Sequence, residues 1–163
     1  MKVRIGFVSN SSSSSFVCEV CGEKIEGWDI SLMEGNFYSC TNEHIICEED
    51  LLKPYSYDVD EEDPAWDEEM TYHYNVPEEY CPICMFVEPD YDLLKKHLIK
   101  LYGISEAEVF EKVKSENKKR KKLYSNEYVA FVLAKKDINQ QDLMNGLKTK
   151  YSLFSDFRKE ANR

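Results

Sequence analysis

Residues 37 to 50 read FYSCTNEHIICEED, which sets Cys40, His44, Cys47 and Asp50 within eleven positions. A Cys-x2-Cys pair lies on either side, Cys18 with Cys21 upstream and Cys81 with Cys84 downstream. Zinc takes four tetrahedral ligands, mostly thiolate and imidazole, and accepts carboxylate. Two ligands separated by two residues can clasp one ion from a single turn, and two such clasps complete a site. The candidate ligands are therefore Cys18, Cys21, Cys40, His44, Cys47, Asp50, Cys81 and Cys84. Two zinc ions would use them all. A single ion would use four of the six cysteines and leave the others as small buried hydrophobes. Two other histidines compete for a place. His97 follows Cys84 at a finger-like distance, but no second histidine follows it, and it falls on an apolar helical face, where a core role is expected. His73, in an aromatic YHY stretch, is the alternative to Asp50.

A site closed by four protein ligands has no position for water, so such ions fold the chain rather than catalyse. Asp50 is the one ligand weak enough to exchange. A deaminase-like zinc site needs a His-x-Glu before its Cys-x2-Cys, and that is missing. No Gly-x-Gly-x-x-Gly or Walker pattern is present either. The expectation is a protein that is not an enzyme.

The order of the ligand pairs resembles the RING-type cross-brace across residues 18–84. The resemblance implies that the first and third pairs share one zinc and the second and fourth share the other. Site one would be Cys18, Cys21, Cys47 and Asp50; site two would be Cys40, His44, Cys81 and Cys84. Trp66, between the sixth and seventh ligands, and Pro82, after the seventh, also fit that family. The chain departs from it at Asp50, where Cys or His is usual, and in a long acidic insertion before Cys81. It departs again at Met85, where ubiquitin-ligase RINGs often carry a basic residue.

The elements that must position these ligands are read from pattern. VRIGFV (3–8) has strand composition, and Cys-x2-Cys-Gly after Phe16-Val17 has the form of a zinc knuckle. Residues 25–38 alternate loosely with Gly27 and Gly35 and predict a hairpin; HIICEEDLLK predicts the start of a short helix. Residues 54–79, with Pro54, Pro64 and Pro77, predict a long irregular loop. From Asp90 the period becomes helical. Leu93, Leu94, His97, Leu98 and Leu101 share one face, and Gly103 is a stop. Ser105 with Glu108 forms a capping box for a second helix running into KKRKK. Ser125 and Asn139 are read as caps of a third and a fourth, and FSDFRKEA as a fifth. The expected fold is α+β: a small zinc-stabilised RING-like or treble-clef module at 1–90, then a helical domain at 91–163.

Charge divides the chain in the same way. Residues 1–53 carry 4 basic and 9 acidic groups, 54–92 none and 13, and 93–163 17 and 9. The net of −10 argues against a dedicated nucleic-acid binder, while the basic run 112–122 keeps that option open locally. That run otherwise reads as a solvated helix end, where cations suit the dipole. DVDEEDPAWDEEM (58–70) reads as a solvated loop; the rival reading is a phosphate mimic anchored by Trp66 and Tyr72. EYVAFVLAKK and NQQDLMNGLK weakly suggest a helix-turn-helix whose turn lacks the usual glycine. No apolar run reaches 18 residues, so no membrane span is expected. The opening residues are too short and too broken an apolar stretch for a signal peptide. An intracellular, reducing location follows as the expectation, with the cysteines holding metal rather than disulfides.

The opening itself, Met1, Lys2, Arg4, Phe7 to Asn10, Ser11 to Ser15 and Phe16, resembles a recurrent start of small phage and prophage proteins of mostly unassigned function. That resemblance covers about 17 residues and implies viral origin and a bacterial host cytoplasm. The serines themselves read as a flexible linker, or as a tag modified on hydroxyls or bound by an extended partner with Phe16 as anchor. Three functions are expected, in this order. The first is docking on a host or phage protein. The second is nucleic-acid binding through 112–122. The third is a RING-like adaptor for a ubiquitin-type conjugating enzyme, with Val20, Trp66 and Pro82 as its groove. Oligomeric state is not encoded in these patterns.

Overall fold

The computed structural model describes residues 13–56, 75–116 and 118–163. The strand expected at 3–8, the acidic stretch 58–70, Trp66, Tyr72 and His73 lie outside the described residues. The chain forms two compact units, Met1–Cys81 and Pro82–Arg163, divided within the CPIC turn. The fold is α+β, with small sheets in the first unit and helices in the second.

In the first unit, β1 (Ser13–Val17) pairs antiparallel with β2 (Lys24–Trp28), in a register that sets Val17 opposite Lys24 and Ser13 opposite Trp28. The connection is the Cys18–Glu23 turn. It is closed by the Cys18 N–H on the Glu23 carbonyl at 2.8 Å and the Gly22 N–H on the Cys18 carbonyl at 2.9 Å. Gly22 sits at φ +79°, a left-handed conformation that a side chain resists. Two expectations are corrected here. Ser13–Ser15 are not linker but strand, because β2 supplies their backbone with a ladder. Residues 25–38 are not one hairpin, since β2 turns back onto β1. Beyond β2, a 3-10 turn at Met33–Gly35 and a left-handed Asn36 redirect the chain.

β3 (Phe37–Cys40) is the centre of a second sheet. It pairs antiparallel with β4 (Ile45–Cys47) and parallel with β5 (Asn75–Val76), setting Cys40 beside Val76. Phe37, Ile46 and Val76 are fully buried there. The short helix expected from His44 is instead β4 followed by one 3-10 turn, Glu48–Asp50. Consecutive β-branched Ile45 and Ile46 favour the pleated partner over a helix.

The second unit holds five described helices: α1 (Tyr91–Tyr102), α2 (Glu106–Glu116), α3 (Ser125–Lys136), α4 (Gln140–Lys150) and α5 (Phe154–Asn162). The Asp90 carboxylate accepts from the Leu93 N–H, and Gly103 stops α1 in a left-handed cap. Ser105 caps α2 by accepting from the Glu108 N–H at 3.2 Å, while the Glu108 carboxylate takes Lys135 rather than closing a box. Asn139 caps α4. At α3 the cap position is Tyr124, not Ser125: Glu127 accepts the Tyr124 N–H, and Ser125 Oγ donates to Asp92. α2 stops at Glu116 and does not continue through KKRKK. The core comprises Leu94, Leu98, Val109, Tyr128, Val129, Val132, Phe154 and Phe157, with α1 packed on α3 and α5.

Candidate metal centres

The eight residues singled out by spacing fall into two groups of four. Cys18, Cys21, Cys47 and Asp50 form one, and Cys40, His44, Cys81 and Cys84 the other; within each group the ligand atoms lie within 4.8 Å of one another. The groups interleave along the chain, first pair with third and second with fourth. All six cysteines are free thiols. All six also belong to one group or the other, so none is left over as a plain buried hydrophobe.

The β3–β4 hairpin builds both centres. Cys40 ends β3, His44 closes the tight turn, and Cys47 ends β4. The three-residue step from His44 to Cys47 spans about 10 Å of extended chain, which keeps the two groups apart. The turn is fixed by the Glu43 N–H on the Cys40 carbonyl at 2.8 Å, with Glu43 itself left-handed at φ 68°. The Asn42 N–H points at Cys40 Sγ at 3.3 Å. The first knuckle is tied to β4 from both sides: the Glu19 N–H donates to the Ile45 carbonyl at 2.9 Å, and the Ile45 N–H donates to Glu19 Oε1 at 3.0 Å. That tie brings Cys18 to Cys47, whose N–H reaches Cys18 Sγ at 3.4 Å. The 3-10 turn then returns Asp50 to the same point.

A zinc ion with standard bond lengths has tetrahedral edges of about 3.8 Å between sulfurs and about 3.5 Å between sulfur and nitrogen or oxygen. Cys21 Sγ and Cys47 Sγ are 3.8 Å apart. His44 Nδ1 is 3.4 Å from Cys40 Sγ and 3.6 Å from Cys81 Sγ. These separations suit one ion at each group. Asp50 Oδ2 lies closer, 3.0 Å from Cys18 Sγ and 3.1 Å from Cys47 Sγ. A cation seated there would move that carboxylate outward by about half an ångström.

The two centres differ in exposure and in charge. Cys40, His44, Cys81 and Cys84 are all buried, whereas Cys21 is exposed and Asp50 half-buried. Three thiolates and a carboxylate would carry −4, against −3 for three thiolates and a neutral imidazole. Without a cation the Cys21 and Cys47 thiols keep their protons. Burial pushes the Cys47 thiol far above its usual range, and the bond to Asp50 adds to it. Asp50 also raises Cys21, while the thiols of Cys21 and Cys18 hold the Asp50 carboxyl below its usual range. A divalent cation would replace the thiol protons, so binding releases acid.

The rival His97 stands elsewhere. His97 is half-buried on α1, its ring edge-on to Phe157 at 5.6 Å, and belongs to neither group. The supporting residues Glu19, Asn42 and Glu78 escaped the sequence reading. Asn42 is buried, and its Nδ2 donates to Glu78 Oε2 at 3.2 Å, bracing the His44 turn against the segment before Cys81. Only the position of Asn42 inside a Cys-x3-His turn, where a backbone N–H faces the thiolate, hinted at its role. No protein-family model matches the chain, and comparison with curated proteins and with solved structures finds no significant match.

Proposed function

We propose that the chain is a non-enzymatic interaction protein whose first unit is folded by two zinc ions bound crosswise. The observation that carries this reading is the pair of interleaved four-ligand groups. Sulfur-rich sets with one imidazole or one carboxylate select zinc over calcium and magnesium, which take oxygen. Four protein ligands at each ion leave no open position for chemistry. The interleaving and the CPIC knuckle support a RING-like arrangement, and the serine-rich opening supports a phage or prophage origin and a bacterial cytoplasm as the place of action.

A protein partner is favoured by the exposed face of the β1–β2 hairpin. Pairing register and strand alternation put Ser15, Val17, Lys24, Glu26 and Trp28 on one face, and Trp28 is 75% exposed there. Phe16 and Ile25, on the other face, are half-buried. An isolated, well-exposed tryptophan on a metal-braced hairpin is the kind of anchor that dominates protein interfaces. The conjugation-adaptor reading has less support, since Pro82 of its expected groove is buried. A pull-down from bacterial lysate tests docking: the zinc-loaded protein should retain a partner, and Trp28→Ala should lose it with zinc content unchanged. Equal retention by the variant, or no retained protein at all, would remove this reading.

A further inference from the structure

The metal centres do not use the most basic stretch of the molecule. From Lys112 to Lys122 the chain carries Lys112, Lys114, Lys118, Lys119, Arg120, Lys121 and Lys122. The dipole of α2 favours cations near its C-terminus, but its influence fades within the last turn, and α2 ends at Glu116. The consecutive cations that follow lie beyond it. Lys118, Lys121 and Lys122 are exposed, as is Lys112, and none of the four is in an ion pair with a described residue. Crowding like charges on a compact unit is destabilising unless something neutralises them.

Aromatic rings lie beside these cations. Lys122 Nζ sits 5.2 Å from the Tyr124 ring centre, and Lys112 Nζ sits 5.8 Å from that of Phe131. Tyr124 caps α3 and Phe131 lies seven residues on, so both rings occupy one face of that helix, two turns or about 10 Å apart. Tyr124 is 57% exposed. The acidic residue between them, Glu127, is already neutralised, since it takes Arg120 Nη1 at 2.5 Å and the Tyr124 N–H at 3.0 Å. The face therefore offers two ring–cation pairs about two helical turns apart, and the segment that joins α2 to α3 supplies further exposed lysines, Lys118 and Lys121. Three nucleotide steps at about 3.4 Å each cover the same length.

We propose that this face, formed by Lys112, Lys118, Lys121, Lys122, Tyr124 and Phe131, binds single-stranded nucleic acid: lysines meet phosphates, and rings stack on bases. Nucleic acid is favoured over an acidic polypeptide because an acidic peptide would satisfy the lysines and leave the rings without planar partners. A single strand is favoured over a duplex because stacking needs unpaired base faces. The site is separate from the zinc-dependent docking proposed above and does not require that reading to hold.

The test is fluorescence anisotropy of a labelled oligo(dT) with the full-length protein. Four phosphate contacts predict a slope of log K against log salt near −2.8 and a loss of about 50-fold between 50 and 200 mM salt. Lys118→Gln with Lys121→Gln and Lys122→Gln should flatten that slope, and Tyr124→Ala should weaken binding by about tenfold or more at every salt concentration. Unchanged circular dichroism and metal content would show that the exposed substitutions leave the fold intact. Absence of binding at 50 mM salt would overturn the proposal. Equal affinity for poly-glutamate or for a DNA duplex would also overturn it, as would a Tyr124→Ala variant that binds like the parent.

Discussion

Removing metal should unfold the first unit while the helices of the second stay formed. Among the described residues of the first unit, the fully buried apolar side chains apart from cysteines are Phe37, Ile46 and Val76. Each contributes about 1.5–3 kcal/mol on burial. Ordering one residue costs about 1–2 kcal/mol of backbone entropy, so those three side chains offset the ordering of fewer than about ten residues. The described part of the unit is several times longer. A structural zinc ion supplies about 10–16 kcal/mol of apparent binding energy, which is also folding energy. The second unit needs no such help, since Leu94, Leu98, Val109, Tyr128, Val129, Val132, Phe154 and Phe157 form a continuous apolar core. Hydrogen exchange read by mass spectrometry, with and without a strong chelator, separates the two cases. Protection should vanish in residues 13–56, including the Ile45 and Cys47 amides that bond to Glu19 and Cys18, and persist in α1, α3 and α5. Persistent protection of β3 and β4 in protein with no residual metal would refute the reasoning.

Asp50→Asn weakens the only carboxylate ligand of the more exposed group, so a competing chelator should extract one zinc well before the other; Asp50→Cys should slow that extraction. Simultaneous loss of both ions from Asp50→Asn would contradict the division into two centres. Tyr128→Phe removes a buried hydroxyl that donates to the Ile104 carbonyl, and should cost the helical unit about 1–2 kcal/mol in a urea melt followed at the helix signal. Burial holds the His97 imidazole below its ordinary value of 6.5. Below pH 6.5 the unfolded chain therefore binds more protons than the folded one. This contribution is fully present above pH 6.5 and lost as pH falls through the folded value. His97→Leu should flatten the fall in the helical unit's urea midpoint between pH 7.5 and 5.5, and an equally steep fall in the variant would show that His97 is not its source.

The candidate metal groups are the most legible part of the sequence because ligand chemistry is strict. Thiolate and imidazole at two- and three-residue gaps have few other uses, and Asp50, though an unusual type, kept the two-residue gap from Cys47. Helix limits marked by a residue with one job, such as Asp90, Gly103 and Asn139, are readable for the same reason. Strand partners are not. Alternation tells which residues pleat but not which neighbour supplies the ladder, and the serines carry no local sign that β2 pairs with them. Ser125 and Tyr124 show a different limit. A serine before a helical pattern suggests a cap, yet its hydroxyl was drawn to Asp92 on another helix, a tertiary contact that local sequence does not record.

If thiolates from distant stretches share two ions, a metal count on the purified chain shows it most directly. Elemental analysis by plasma mass spectrometry, normalised to protein concentration by amino-acid analysis, should find two zinc ions per molecule. One ion would break the crosswise arrangement, and none would leave the first unit without the force that folds it.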